Sequence, residues 1–206
     1  MTLKEKLIAQ GKTRWLDVGC GPNLDSSFEG VDLMPQDDID EPSRSKYHRF
    51  NILNNSDVAL KGLGKFDLIR MQHIFEHFTF EEGNQVLLHC SKLLKKGGYI
   101  VITVPDLKIY IRKYLNDEFR LRPDFTQWAN FRVGADAPNS AFFSIFTHGG
   151  DNPHKWCYDY EGLKFQLKRT KQFTNIKQLK PDDELANTPF THNRPTEDAC
   201  AIAQKL

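Results

Sequence analysis

The segment MQHIFEHF, residues 71–78, carries two histidines and a glutamate at a spacing that could bind a metal ion or move a proton. His73, Glu76 and His77 fit the H-x-x-E-H pattern of one group of zinc peptidases. That pattern needs an established helix and a third ligand from another helix. The residues just before it, KFDLIR, are typical of a strand, and no third-ligand motif follows. We therefore predict no metal site here.

A second candidate site is the glycine pair in WLDVGCGPN. Gly19 and Gly21 directly follow an apolar strand that contains Asp17. Glycines let the backbone turn sharply and approach a ligand, so that its N–H groups can hold a carboxylate or phosphate. The next strand ends in Asp32, which could accept hydrogen bonds from a ribose diol. Because a buried carboxylate is unusual without a partner, we expect Asp17 and Asp32 to contact a ligand.

A nicotinamide-binding loop is a poorer match to the same residues. The dinucleotide fingerprint G-x-G-x-x-G needs a third glycine for helix packing near the pyrophosphate, and Leu24 stands at that position. Only ten residues separate Gly21 from Asp32. Because this is too short for a full helix, we predict that the first crossover helix is reduced to a turn.

Several strands and helices must position these residues. Apolar runs predict five strands, over residues 13–18, 28–33, 46–50, 65–70 and 98–104, and two more over 173–180 and 199–205. Helical spacing predicts helices over residues 3–10, 107–116, 124–131 and 159–169, and a crossover helix from residue 80 that stops at Gly97–Gly98. Alternating strands and helices indicate an α/β fold with ligand sites at the carboxyl ends of the strands.

Taken together, the motifs resemble those of the class I S-adenosylmethionine-dependent methyltransferases, and within them the small type 11 family. LDVGCGPN resembles the first motif and VDL the ribose-binding acid, while FDLIRMQHIFEHF and LLKKGGYIVITVPD resemble the fourth- and fifth-strand motifs. The four occur in order and cover about residues 15–106. The resemblance implies a Rossmann-like sheet of seven strands, mostly parallel, with an antiparallel last strand.

The resemblance also implies S-adenosylmethionine as cofactor and suggests its contacts. The backbone at Gly19 and Gly21 would approach the methionine part, Asp17 would order its amino group, and Asp32 would take the ribose hydroxyls. The other expected contacts are Leu33, Asn51, Ile52, Met71 and Gln72. For Asn51 two interpretations remain open: its side-chain oxygen accepts from the adenine amine, or the residue closes a turn at the end of a strand.

The acceptor side is less defined by the sequence. A hydroxyl acceptor needs a base, for which histidine is suited, and the candidates are His73, His148 and His154. Residues 107–158 predict a helical and loop-rich cap with many aromatic side chains. We expect O-methylation of a small-molecule or sugar-like acceptor. A catalytically inert S-adenosylmethionine-binding regulatory protein and a nucleic-acid methyltransferase remain as alternatives.

Composition and charge exclude other classes. The 206 residues, 39% hydrophobic, predict a single domain over residues 1–206. A net charge of +1 provides no overall field toward nucleic acid or a membrane surface. No signal peptide and no apolar run of about 20 residues is present, so we expect a cytoplasmic protein. The four cysteines form no C-x-x-C pair, which favours reduced thiols over a zinc knuckle or disulfides.

Overall fold

The fold is taken from a computed structural model, which describes residues 1–41, 43–55, 57–116, 153–188 and 190–206. Its strands are β1 (Trp15–Val18), β2 (Glu29–Asp32), β3 (Tyr47–Arg49), β4 (Phe66–Gln72), β5 (Leu94–Pro105), β6 (Phe173–Gln178) and β7 (Asp198–Lys205). They form one seven-stranded sheet in the order β3-β2-β1-β4-β5-β7-β6. Strands β1 to β5 are parallel, and β7 runs antiparallel to both β5 and β6. The predicted sheet, with its antiparallel last strand, is confirmed.

Five helices are described beside the sheet: α1 (Leu3–Ala9), α2 (Asp57–Leu63), α3 (Phe80–Leu93), α4 (Leu107–Leu115) and α5 (Tyr160–Arg169). Short 3-10 turns cover Gln36–Asp38, Ser43–Lys46 and Phe75–His77. The start of α3 is fixed by a capping box, in which the Thr79 hydroxyl accepts from the Glu82 N–H and the Glu82 carboxylate accepts from the Thr79 N–H. The cap fixes where α3 begins, so the 3-10 turn with Glu76 and His77 lies between the end of β4 and this helix.

The sheet is covered on both faces by apolar side chains. One core joins the sheet to α2, α3 and α5. A second core joins it to α1 and to residues of the segment before β7. In that second core the rings of Trp15, Phe28 and Phe190 pack with centroids 5.2 to 5.7 Å apart. Burial on both faces leaves the strand ends as the place for ligands.

The connection between β1 and β2 contains no helix among its described residues, as predicted from its length. The predicted stop of α3 was wrong: the helix ends at Leu93, and Gly97–Gly98 lie inside β5. A Cβ at Gly98 would come within 3.0 Å of the Asp67 carbonyl oxygen, so the glycine permits a close strand approach instead of ending the helix.

Helix α2 was not predicted. The sequence signal for it was two leucines at helical spacing, Leu60 and Leu63, followed by Gly64, and the structure buries Leu60. The predicted helix over residues 124–131 and most of the predicted cap lie outside the described residues. Among the described residues, no helix has the length and apolarity needed to cross a bilayer.

Candidate functional site

A cavity of about 510 Å³ opens at the carboxyl ends of β1, β2 and β3. Its size is typical of small-molecule sites. Five of the predicted cofactor contacts line it: Gly19, Asp32, Leu33, Asn51 and Ile52. The rest of the wall is formed by Val18, Val31, Phe50, Leu53, Asn54, Ile74, His77, Phe78, Glu82 and Lys155. The structure therefore brings together the residues that follow the first three strands.

The glycine loop enters this cavity in a backbone conformation that side chains disfavour. Gly19 and Gly21 have φ values of +70° and +62°. A Cβ at Gly19 would lie 2.5 Å from Ile74 Cγ1, whereas a Cβ at Gly21 would meet no described atom within 4 Å. The loop is tied to β2, because the Gly19 N–H donates to the Val31 carbonyl. Burial raises the pKa of the Cys20 thiol to about 12, so the loop carries no reactive thiolate at neutral pH.

Asp32 is held by the backbone on both of its carboxylate oxygens. Oδ2 accepts from the Gly21 N–H at 3.0 Å and Oδ1 from the Leu33 N–H at 2.6 Å. A carboxylate has about four acceptor positions, so each oxygen keeps capacity for one more donor. Asp32 can therefore order the glycine loop and still accept from the two hydroxyls of a ribose.

Asp17 has a different environment from the one predicted. It lies opposite Arg70 in the register of β1 and β4. Arg70 donates from Nε to Oδ1 at 3.0 Å and from Nη2 to Oδ2 at 2.5 Å, and its guanidinium lies over the Phe28 ring. Burial raises the pKa of Asp17, and Arg70 opposes that shift. The partner that a buried carboxylate requires is therefore within the protein, and the signal that could have revealed it was a cation inside the apolar run KFDLIR.

Three other predicted contacts are placed less favourably for a cofactor. The Asn51 side-chain oxygen accepts from the Leu53 and Asn54 N–H groups, at 2.9 and 3.0 Å, which uses both of its lone pairs. The structure thus supports the alternative in which Asn51 closes a turn. Met71 is fully buried in the core, and the Gln72 side chain reaches toward the carbonyl of residue 190, 3.5 Å away. Neither lines the cavity.

His73 directly follows β4 and has a left-handed backbone conformation, with φ of +53°. Its Nδ1 lies 3.5 Å from Glu76 Oε1, and its Nε2 lies 3.0 Å from Asp198 Oδ1 without the alignment of a hydrogen bond. Burial lowers the pKa of His73, but the Asp198 and Glu76 carboxylates outweigh it and raise the pKa to about 9. Asp198, at the start of β7, is the residue that sequence reasoning missed, because only the sheet pairing brings it to this edge.

The other histidines of the region gather beside Glu76. His154 Nε2 lies 3.9 Å from Glu76 Oε1, and the His77 and His154 rings pack edge to face with centroids 4.7 Å apart. His77 also forms part of the cavity wall. The predicted candidate His148 lies outside the described residues. Two of the three predicted histidines, His73 and His154, thus lie close to the same oxygen of the buried Glu76 carboxylate.

Comparison with known proteins assigns the family. A model of the methyltransferase domain family matches residues 3–148, more than half of the chain. The chain belongs to this family. The predicted methyltransferase family is thereby confirmed, and the solved structures described next share its Rossmann-like fold. None of the curated protein sequences compared with this methyltransferase matches it significantly.

Solved structures of similar fold act on different acceptors. An S-adenosylmethionine-dependent methyltransferase from Clostridium acetobutylicum is 15% identical, with a TM-score of 0.59 over 98% of this chain and 88% of its own. The N-methyltransferase NodS from Bradyrhizobium japonicum, in complex with S-adenosylhomocysteine, is 12% identical, with a TM-score of 0.54 over 98% and 83%. The CurJ carbon methyltransferase is 16% identical, with a TM-score of 0.53 over 94% and 48%. At these identities the likeness shows the fold and leaves the acceptor open.

Proposed function

We propose that this methyltransferase transfers a methyl group from S-adenosylmethionine to an oxygen atom of a small-molecule or sugar-like acceptor. The observation that carries the proposal is the position of the histidine pair. His77 lies in the wall of the same cavity that Gly19 and Asp32 line, and the His154 ring packs against it. A neutral hydroxyl is a weak nucleophile, so a proton acceptor at this place favours oxygen as the atom that is methylated.

The cavity residues suit the cofactor that the family uses. Asp32 retains acceptor capacity for a ribose diol, and the open side of Gly21 lets a ligand approach the backbone closely. Leu33 and Ile52 offer apolar surface for a base. The bound cofactor would supply an activated methyl group on a sulfonium. The protein would contribute placement of the acceptor and exclusion of water.

Among the three predicted bases, His154 fits best. Both ring nitrogens of His73 face carboxylates, so neither is presented to an acceptor, and His73 suits a positioning role. His154 Nε2 lies 3.9 Å from Glu76 Oε1, and this carboxylate would stabilise the ring after it takes a proton. We propose His154 as the group that removes the acceptor proton, while His148 stays a prediction.

The test uses methyl-labelled S-adenosylmethionine with acceptor sets that carry hydroxyl, amine or activated carbon groups, and mass spectrometry of the products. We expect O-methylated products, and a 10²- to 10⁴-fold lower kcat for His154→Ala, the range typical of a lost general base. His48→Ala is the matched control, because His48 lies on β3 with a side chain 45% exposed and outside the cluster.

Other outcomes would replace the proposal. Methyl groups found only on nitrogen or carbon would reject oxygen as the acceptor atom. Label found only on RNA or DNA would favour the nucleic-acid alternative. Tight binding of S-adenosylhomocysteine without transfer to any acceptor would favour the inert regulatory protein.

A further inference from the structure

Three potential metal ligands meet beside the cavity. Glu76, His77 and His154 each place one ligand atom within 4.8 Å of the others. The 3-10 turn that carries the first two is tied to the segment of the third, because the N–H groups of Lys155 and Trp156 both donate to the Glu76 carbonyl, at 2.9 and 3.1 Å. The cluster is therefore built from two segments that hold each other in place.

The Glu76 carboxylate lacks the partners that its burial requires. The residue is 2% exposed, and in the part of the chain that the structure describes neither carboxylate oxygen has a hydrogen-bond partner. His73 is near Glu76, but it is shared with the buried Asp198 carboxylate. Even a charged His73 therefore faces two buried carboxylates. A buried carboxylate without full compensation is costly, and a cation between Glu76 and its histidines would supply what is missing.

His77 is prepared for coordination by its other nitrogen. Its Nδ1 lies 3.3 Å from the Pro153 carbonyl oxygen, which can only accept a hydrogen bond. This contact favours the tautomer with the proton on Nδ1 and leaves a lone pair on Nε2. Metal-binding histidines commonly donate their second ring N–H to a carbonyl or carboxylate in this way.

We propose that Glu76, His77 and His154 bind a divalent transition-metal ion, with Zn²⁺ the best match to two imidazoles and one carboxylate. Three protein ligands leave one position open, as in catalytic zinc sites. Zinc about 2.1 Å from each ligand holds its ligand atoms about 3.4 Å apart, so shifts of about an ångström would close the site. Because His77 also lines the cavity, the open position would be near the acceptor.

The sequence predicted no metal site because no third-ligand motif follows His77. The structure turns His73 toward Asp198 and brings His154 in as the third ligand. With the ion bound, His154 would be a metal ligand, and the proton-accepting role proposed for it above would apply only to the protein without the ion. A hydroxyl that coordinates the ion would then lose its proton more readily. That last consequence rests on the proposed function, whereas binding of the ion does not.

Binding of Zn²⁺ alone tests the site without cofactor or acceptor. Protein stripped with a chelator is titrated with ZnCl₂ by calorimetry. We expect one equivalent to bind to the wild type, and His154→Ala to weaken binding roughly 100-fold or more, since even outer-shell changes cost 10- to 100-fold. Glu76→Gln should weaken it similarly. His48→Ala should bind like the wild type.

Thermal melting gives a second readout should Glu76→Gln fold poorly. Zn²⁺ should raise the Tm of the wild type and of His48→Ala, and leave that of His154→Ala unchanged. The absence of a wild-type binding event, or equal Zn²⁺ affinity in wild type and His154→Ala, would overturn the metal site. Zn²⁺ binding and methyl transfer are measured separately, so failure of the metal site can be distinguished from failure of the proposed function.

Discussion

Replacement of Asp32 by asparagine should separate its two roles in the glycine loop. The aspartate accepts from the Gly21 and Leu33 N–H groups and faces the cavity. Asparagine has the same shape but only one acceptor oxygen, and its amide N–H₂ would meet one of the two backbone donors. The change therefore removes a charge-assisted contact to the ribose and disturbs the loop that approaches the cofactor.

The expected magnitude follows from the hydrogen bonds that are lost. A hydrogen bond to a charged group contributes about 1.5 to 3 kcal/mol. If the ribose loses one such contact and part of a second, binding of S-adenosylhomocysteine weakens by about 2 to 3 kcal/mol, or roughly 30- to 150-fold in Kd. One unsatisfied N–H should lower the free energy of unfolding by about 1 to 3 kcal/mol.

Calorimetry with S-adenosylhomocysteine and urea unfolding would measure the two effects on the same protein. The matched control is Asp38→Asn, which removes the same charge from an exposed residue six positions further on. A Kd for Asp32→Asn within twofold of the wild type, together with a lower stability, would refute the cofactor role and leave Asp32 as a residue that only orders the loop.

Two further substitutions test the packing that supports the site. Gly19→Ala should lower the free energy of unfolding by about 2 to 5 kcal/mol, because it adds the collision with Ile74 to the strain of a positive φ. The control is Gly11→Ala, which has φ of +68° and no described atom within 4 Å of its Cβ, so it should lose only the part due to strain. Equal losses for the two variants in urea unfolding would contradict this prediction. Arg70→Met should destabilise the fold by about 3 to 5 kcal/mol by leaving Asp17 buried without its partner, whereas Asp17→Leu/Arg70→Met should recover much of the loss. If that double variant still binds S-adenosylhomocysteine like the wild type, the prediction that Asp17 contacts the cofactor is wrong.

The sequence was most informative where one local pattern determines the structure. Alternating apolar runs and helices predicted seven strands in an α/β fold, and the short spacing from Gly21 to Asp32 predicted a connection without a helix. Both inferences depend on backbone length and periodicity, which are properties of neighbouring residues. The same holds for the position of Asp32, because a residue at the end of a parallel strand lies at the ligand edge wherever its side chain points.

The sequence was least informative where the structure depends on pairing between distant residues. Arg70 partners Asp17 across 53 positions, and Asp198 meets His73 only because β7 inserts beside β5. Glu76 and His154 are also far apart in the sequence and come together only in the folded protein. Spacing along the chain offered only His73 as a second histidine for His77, because His154 lies far away in the sequence.

The position of β7 has a consequence for how the protein is made. This strand lies between β5 and β6, although it follows both in the chain, so the sheet closes by insertion of its last strand. During synthesis, β5 would emerge long before its neighbour, with one edge unpaired. Until β7 docks, His73 would likewise lack its contact with Asp198. The cofactor loop can therefore form before β7 docks, whereas the contact between His73 and Asp198 forms only afterwards.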